Sequence, residues 1–369
     1  MPDTEHEPCP YKSLPDYAFW RRSVAAPTNE LLDPIVSTRF KITKEDKIAT
    51  AGSCFAQHIA RFLAQSGYNY LVTEQGHPLL SDETLLEYNY GTYSARYANL
   101  YTTRQLYQTL LRAYGEFVPQ ERVWRDGDRF IDPFRPFIQP KGFSSATEFE
   151  ADQAAHFRAI RKMVETLDIF VFTLGLTEAW QSTQDGAVFP VAPGCGAGRH
   201  DSKKHAFVNF SVGEVLEDLR AAVKFIQAKN PGARFLLTVS PVPLIATYEQ
   251  QHVLVSTTYS KSVLRVAAEM LKQEDPHVDY FPSYEIITGN FSGGVYYEDD
   301  LREVREAGVR HAMTCFFRHY LGVEIAPPAP SPSEQQTPQR PVHRSTASSA
   351  ANTRAAKVIC DEENLESAS

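Results

Sequence analysis

The sequence has few cysteines and no pairs among them. Cys9, Cys54, Cys195, Cys315 and Cys360 are scattered, odd in number and never in CxxC spacing. That pattern speaks against a disulfide framework and against a zinc knuckle, and reduced thiols are expected. There is also no uninterrupted apolar run of transmembrane length, so no membrane span is expected. No basic block of the kind that neutralises phosphates is present, and 37 Lys and Arg against 45 Asp and Glu leave a formal charge of −8. Nucleic acid and an anionic membrane surface are therefore poor candidates for the main partner. The opening stretch "MPDTEHEPCPYKSLPDYAFW" has early acidic residues and no apolar segment of signal length, so a cytoplasmic protein is expected. No internal repeat is visible.

What the sequence does have is enough apolar material for a large core, 43% hydrophobic with 12% aromatic over 369 residues. Residues 1–29 read as an N-terminal extension, and residues 30–322 as one domain. Residues 323–369 read as a disordered tail rich in Pro, Ser and Thr, with almost nothing to bury.

Four apolar runs, "KIATA" (47–51), "DIFVFTL" (168–174), "RFLLTVS" (234–240) and "VDYF" (278–281), read as buried strands. Helical patterns occupy 54–66, 151–167, 211–229, 259–273 and 305–320. Alternation of buried strands with helices predicts an α/β fold, a three-layer α/β/α sandwich around a mainly parallel sheet. Residues 82–140 are Tyr-rich and partly helical, and read as an insertion over one sheet edge. In such sheets ligands collect at the carboxyl ends of the strands, where "GSCF", "GLTEAW", "SPVPL" and "PSYE" lie.

In "TAGSCFAQHIARFL" Ser53 stands between a strand and a helix. It reads either as a helix cap or as a nucleophile on a sharp strand-to-helix turn, where helical N–H groups favour an oxyanion. "FTLGLTEAW" puts Thr177, Glu178 and Trp180 just past a strand, where they can orient or bind a substrate. His252 precedes the "TYSKS" helix start and is a general-base candidate or a solvated loop histidine. "HDSKKH" (200–205) lacks metal-ligand spacing, and neither metal nor cofactor is expected. His311 and His319 are explained by packing or helix-end charge.

"GSCFAQHIARFL", together with "NYGTYSARYANLYTTRQL", "FVFTLGLTEAW", "LLTVSPVPL", "YSKSVLR" and "YFPSYEI" in that order, resembles the GSCFA family over roughly residues 10–320. The resemblance implies the SGNH (GDSL-like) hydrolase superfamily and its flavodoxin-like sandwich, with a serine esterase or O-acyltransferase acting on a small-molecule or carbohydrate acyl ester. It assigns the nucleophile to Ser53 and the oxyanion hole to Ser53, Gly91 and Thr177. Substrate contacts fall on Glu178, Trp180 and Tyr93. The superfamily's closing Asp-x-x-His is absent: three residues on from Asp299 stands Arg302, and from Asp300, Glu303. The expected base is therefore His252 or Glu303. Without a base, the same scaffold would be a binding module recognising a glycan or acylated ligand through Tyr88, Tyr90, Tyr93, Tyr97 and Tyr101. Cys54 is a weaker nucleophile candidate, since it should point into the core.

Overall fold

The structure, a computed structural model, describes residues 9–323 together with Asp361 and Glu363. Most of the expected tail, and residues 1–8 of the expected extension, lie outside the described residues. Its strands are β1 (Ile48–Gly52), β2 (Trp124–Asp126), β3 (Arg129–Ile131), β4 (Ile169–Leu174), β5 (Glu178–Ser182), β6 (Val188–Phe189), β7 (His205–Asn209), β8 (Arg234–Val239) and β9 (Val278–Tyr280). Its α-helices are α1 (Trp20–Ser23), α2 (Ala56–Gln65), α3 (Asp82–Glu87), α4 (Thr103–Ala113), α5 (Ala146–Thr166), α6 (Val212–Lys229), α7 (Val253–Glu274), α8 (Ser283–Thr288) and α9 (Glu306–Phe316).

The four expected apolar runs form one parallel sheet in the order β1-β4-β8-β9. Each strand is apolar throughout because both faces are covered. Ala49, Ala51, Phe170, Phe172, Leu174, Phe235, Leu237 and Val239 face a layer made by α4, α5, α6 and α7. Ile48, Ile169, Val171 and Leu236 face α2, α8 and α9 on the other side. That is the three-layer α/β/α sandwich expected from strand–helix alternation.

Side-chain caps explain several helix starts. Ser145 accepts from the Glu148 N–H and begins α5 at residue 146. Reciprocal capping boxes, Thr102 with Gln105 and Ser211 with Glu214, begin α4 and α6. The helix expected from 259 begins at Val253, because His252 accepts from the Leu254 N–H and caps it.

The Tyr-rich segment is more than an edge cover. Leu106, Leu110 and Ala113 of α4 share a core with Ile160, Met163, Leu219 and Leu264. Tyr93, Tyr97 and Tyr101 are buried as well, so they pack the insertion and do not present a solvent-facing aromatic surface. Beneath the insertion a buried ionic group holds the loops together. Arg96 Nη1 donates to Asp152 Oδ1 (2.9 Å), Arg135 Nη2 to Asp152 Oδ2 (2.8 Å) and Arg135 Nε to Asp132 Oδ2 (2.9 Å). His156 Nδ1 lies 2.7 Å from Glu74 Oε2. A second, antiparallel sheet in the order β6-β5-β7 follows directly from the "GLTEAW" loop.

Candidate active site

The turn after β1 is dictated by close backbone approach. Gly52 has φ +128°, and a Cβ there would lie 2.2 Å from the Thr173 carbonyl oxygen. Only glycine fits, for both reasons. The ladder runs one residue further, with the Ser53 N–H donating to Thr173 O (3.0 Å), and the chain then turns into α2 through Ala56 N to Ser53 O (2.9 Å). Ser53 is not a cap. The N-cap of α2 is Phe55, without a side-chain bond, and Ser53 Oγ has no hydrogen-bond partner among the described residues although only 3% of the residue is exposed. A hydroxyl buried without a partner costs about 1–3 kcal/mol, which a bound polar ligand at this position would recover.

Two loops close on that serine. Gly175, just past β4, stands so near that a Cβ there would lie 3.1 Å from Ser53 Cβ and 2.9 Å from Tyr101 O. The Gly175 and Leu176 N–H groups both donate to Tyr101 O. Lys261, 1% exposed, donates from Nζ to Gly175 O at 2.6 Å. Gln57, on the first turn of α2 and four residues after Ser53, donates from Nε2 to Tyr93 Oη (3.3 Å) and Asn99 Oδ1 (3.2 Å). Asn99 Nδ2 in turn donates to Asp361 Oδ2 at 2.9 Å, and the Asp361 N–H donates to Tyr101 Oη at 3.0 Å. Ala98, just before Asn99, is held in left-handed backbone at φ 61°, a conformation that concentrates at functional loops.

A sequence model of the GSCFA family matches residues 47–316, from the residue before β1 to the end of α9. The chain belongs to the GSCFA family. Neither a curated protein nor a solved structure matches it. In this GSCFA protein the "GSCFA" residues are thus the obligate glycine, the buried serine and the entry to α2. Cys54 is buried in the core, as expected.

The expected oxyanion groups are distributed differently. The Ser53 N–H is committed to Thr173 O, and Thr177 donates its N–H to Ser260 Oγ (3.0 Å) and its hydroxyl to Asn209 Oδ1 (2.6 Å). Gly91 lies in an exposed turn with nothing within 4 Å of a Cβ built there. His252 is exposed, and its Nδ1 lone pair is used at the α7 cap (3.1 Å). Glu303 is exposed on a turn whose Asp300 Oδ1 accepts from the Arg302 N–H (2.9 Å) and Glu303 N–H (3.0 Å). His311 has both ring nitrogens engaged, with Tyr296 Oη at 2.9 Å and Leu32 O at 2.7 Å, and is a packing residue.

Glu178 and Trp180 do come together. They line an apolar cavity of about 290 Å³ with Leu176, Phe207, Leu244 and Tyr248. Glu178 accepts from Thr247 Oγ1 (2.7 Å), and burial pushes its carboxyl up from the usual range. The Trp180 ring packs on Tyr248, with centroids 4.9 Å apart. Leu176 links this cavity to Ser53 through its neighbour Gly175.

Sequence reasoning missed Gln57, Asn99, Lys261 and Asp361, and took Tyr101 only as one of several aromatic residues of the insertion. For Lys261 a signal existed. It stands in helical phase with Leu264, Ala268 and Leu271, all buried, and a lysine on an apolar stripe is rarely there for solubility.

Proposed function

We propose that this GSCFA protein is an SGNH-type serine esterase or O-acyltransferase, acting on an acyl ester of a small molecule or glycan through a Ser53 acyl-enzyme. The observation that carries the reading is Ser53 Oγ itself: buried, without a partner among the described residues, at the carboxyl end of a parallel strand, on a glycine turn that nothing else fits. Ser53 Oγ attacks the ester carbonyl and gives up its proton to the base, the bond between the acyl carbon and the alcohol oxygen breaks, the alcohol leaves with that proton, and water or a second hydroxyl then takes the acyl group. The N–H groups of the turn between Ser53 and α2 are the donors for the oxyanion, in place of Gly91 and Thr177. The cavity beside Leu176 suits an apolar acyl chain.

For the proton, the geometry favours Lys261 over His252 and Glu303. Its Nζ is buried and reaches the carbonyl of the glycine packed on Ser53, and Ser–Lys pairs are a recurrent variant of the catalytic triad. A cytoplasmic location belongs to the same reading. The test is reaction with a fluorophosphonate probe and turnover of p-nitrophenyl esters by wild type, Ser53→Ala, Lys261→Met, His252→Ala and Glu303→Gln. Loss in the first two variants with activity within about threefold in the last two supports the assignment. Loss in His252→Ala or Glu303→Gln alone moves the base there.

A second reading, a binding module on the same scaffold, is favoured by one observation: no imidazole is hydrogen-bonded to Ser53 Oγ among the described residues. Ligand binding at the site without probe reaction in wild type would select it.

A further inference from the structure

A buried carboxylate that no part of the acyl-transfer reading uses is tied to the serine's helix through Asn99 and Gln57. Asp361 is 4% exposed. Burying a carboxylate is costly unless it is hydrogen-bonded, and here Asn99, 262 positions away, donates to it. Asn99 Nδ2 reaches Asp361 Oδ2 at 2.9 Å, and Tyr101 Oη receives the Asp361 N–H at 3.0 Å. The Asn99 amide is turned for this task. Gln57 Nε2 donates to its oxygen, which leaves the NH2 end facing the carboxylate. Gln57 lies on the first turn of α2, four residues after Ser53, and the Tyr101 carbonyl holds Gly175 against Ser53. A helix next to the serine, through Asn99, and the loop behind it, through Tyr101, thus each contribute to holding Asp361.

We propose that Asn99, oriented by Gln57, forms a carboxylate-binding subsite of the Ser53 site with Tyr101 Oη accepting an adjacent N–H, filled in the resting chain by its own Asp361, which a carboxylate-bearing ligand must displace. The subsite is a property of the binding groups alone; only its effect on reaction rests on the Ser53 reading. Being covalently joined to its site, Asp361 competes at an effective concentration on the order of millimolar, so a free ligand of micromolar affinity is held off until it is abundant.

The test uses full-length protein. A fluorescein-labelled peptide of residues 357–369 is titrated into wild type and into Asp361→Lys, whose own side chain cannot accept from Asn99 Nδ2. The expected result is binding to Asp361→Lys at least tenfold tighter than to wild type, with loss of that binding when the peptide carries Asp361→Lys or when the protein also carries Asn99→Asp. Equal affinity for both proteins, binding to neither, or binding indifferent to Asn99→Asp would overturn the proposal. Because Asn99 is buried, hydrogen exchange of the Asp361 amide in wild type serves as a second measurement. Protection of at least tenfold is expected, and exchange at the free-peptide rate would overturn docking. Fluorophosphonate reaction should quicken at least tenfold in Asp361→Lys. Peptide binding as expected with no probe reaction in either protein would sink the Ser53 reading and leave the subsite standing. Equal, finite reaction rates in both would overturn the closure of the site by Asp361.

Discussion

Replacing Gly52 by alanine tests whether the turn that presents Ser53 is set by backbone contact. The added Cβ would lie 2.2, 2.7 and 2.8 Å from the O, N and C atoms of Thr173. No rotamer change relieves that, because the obstacle is main chain. Strands β1 and β4 must part at their carboxyl ends, weakening the Ser53 N–H to Thr173 O bond of 3.0 Å. Holding φ at +128° with a side chain adds strain. Strain of about 1–3 kcal/mol, overpacking of about 1–3 kcal/mol and one weakened hydrogen bond of about 1 kcal/mol sum to roughly 3–7 kcal/mol. That is a large share of a total stability of about 5–15 kcal/mol, and corresponds to a fall in Tm of roughly 6–14 °C at about 2 °C per kcal/mol for a domain of this size. Gly67→Ala is the control. Its φ is +72° with nothing within 4 Å of the new methyl, so only the left-handed penalty of about 1–2 kcal/mol applies. Thermal and urea unfolding of both variants decide the matter. A Gly52→Ala protein that melts within about 2 °C of Gly67→Ala would refute the backbone-contact account.

His58 on α2 is held down to about 4, first by burial and then by the Arg61 charge. Its folded value lies below its ordinary 6.5, so its contribution is complete above pH 6.5 and is lost as the pH falls towards 4. At about 1.4 kcal/mol per unit the loss reaches roughly 3 kcal/mol; His58→Phe should flatten that part of the urea-stability profile, and an unchanged slope would contradict it. Arg96→Met leaves the Asp152 and Glu74 carboxylates beside an apolar side chain. Breaking such a buried pair costs about 3–5 kcal/mol, to be read from chemical denaturation, and a change under 1 kcal/mol would show the group to be dispensable. Gly175→Ala would press its methyl on Ser53 Cβ and Tyr101 O; fluorophosphonate reaction should slow at least tenfold, and an unaltered rate would mean Gly175 does not shape the site.

The parallel sheet was legible because each strand is buried on both faces and so reads as an unbroken apolar run, as in "IFVFTL". The antiparallel sheet was not. β5, "EAWQS", and β7, "HAFVN", mix polar and apolar residues over five positions, too short and too mixed to separate from loop. The early start of α7 was hidden because "EQQHV" looks like loop until His252 is seen to cap it. At the site, Ser53 could be found because a strand, a glycine and a helix meet there in sequence. Asn99 and Asp361 could not, since their pairing spans 262 positions and nothing local marks either as half of a contact. Thr177 was misleading for a related reason: its place after β4 is right, but its N–H and hydroxyl are taken up by Ser260 and Asn209, from α7 and β7.

The most direct test of the Ser53 reading is intact-mass and peptide-mapping mass spectrometry after incubation with a fluorophosphonate, using full-length wild type, Asp361→Lys and Ser53→Ala. The account predicts one adduct per chain on Ser53, formed faster in Asp361→Lys and absent from Ser53→Ala. No adduct in either of the first two proteins, or an adduct that persists in Ser53→Ala, would contradict it.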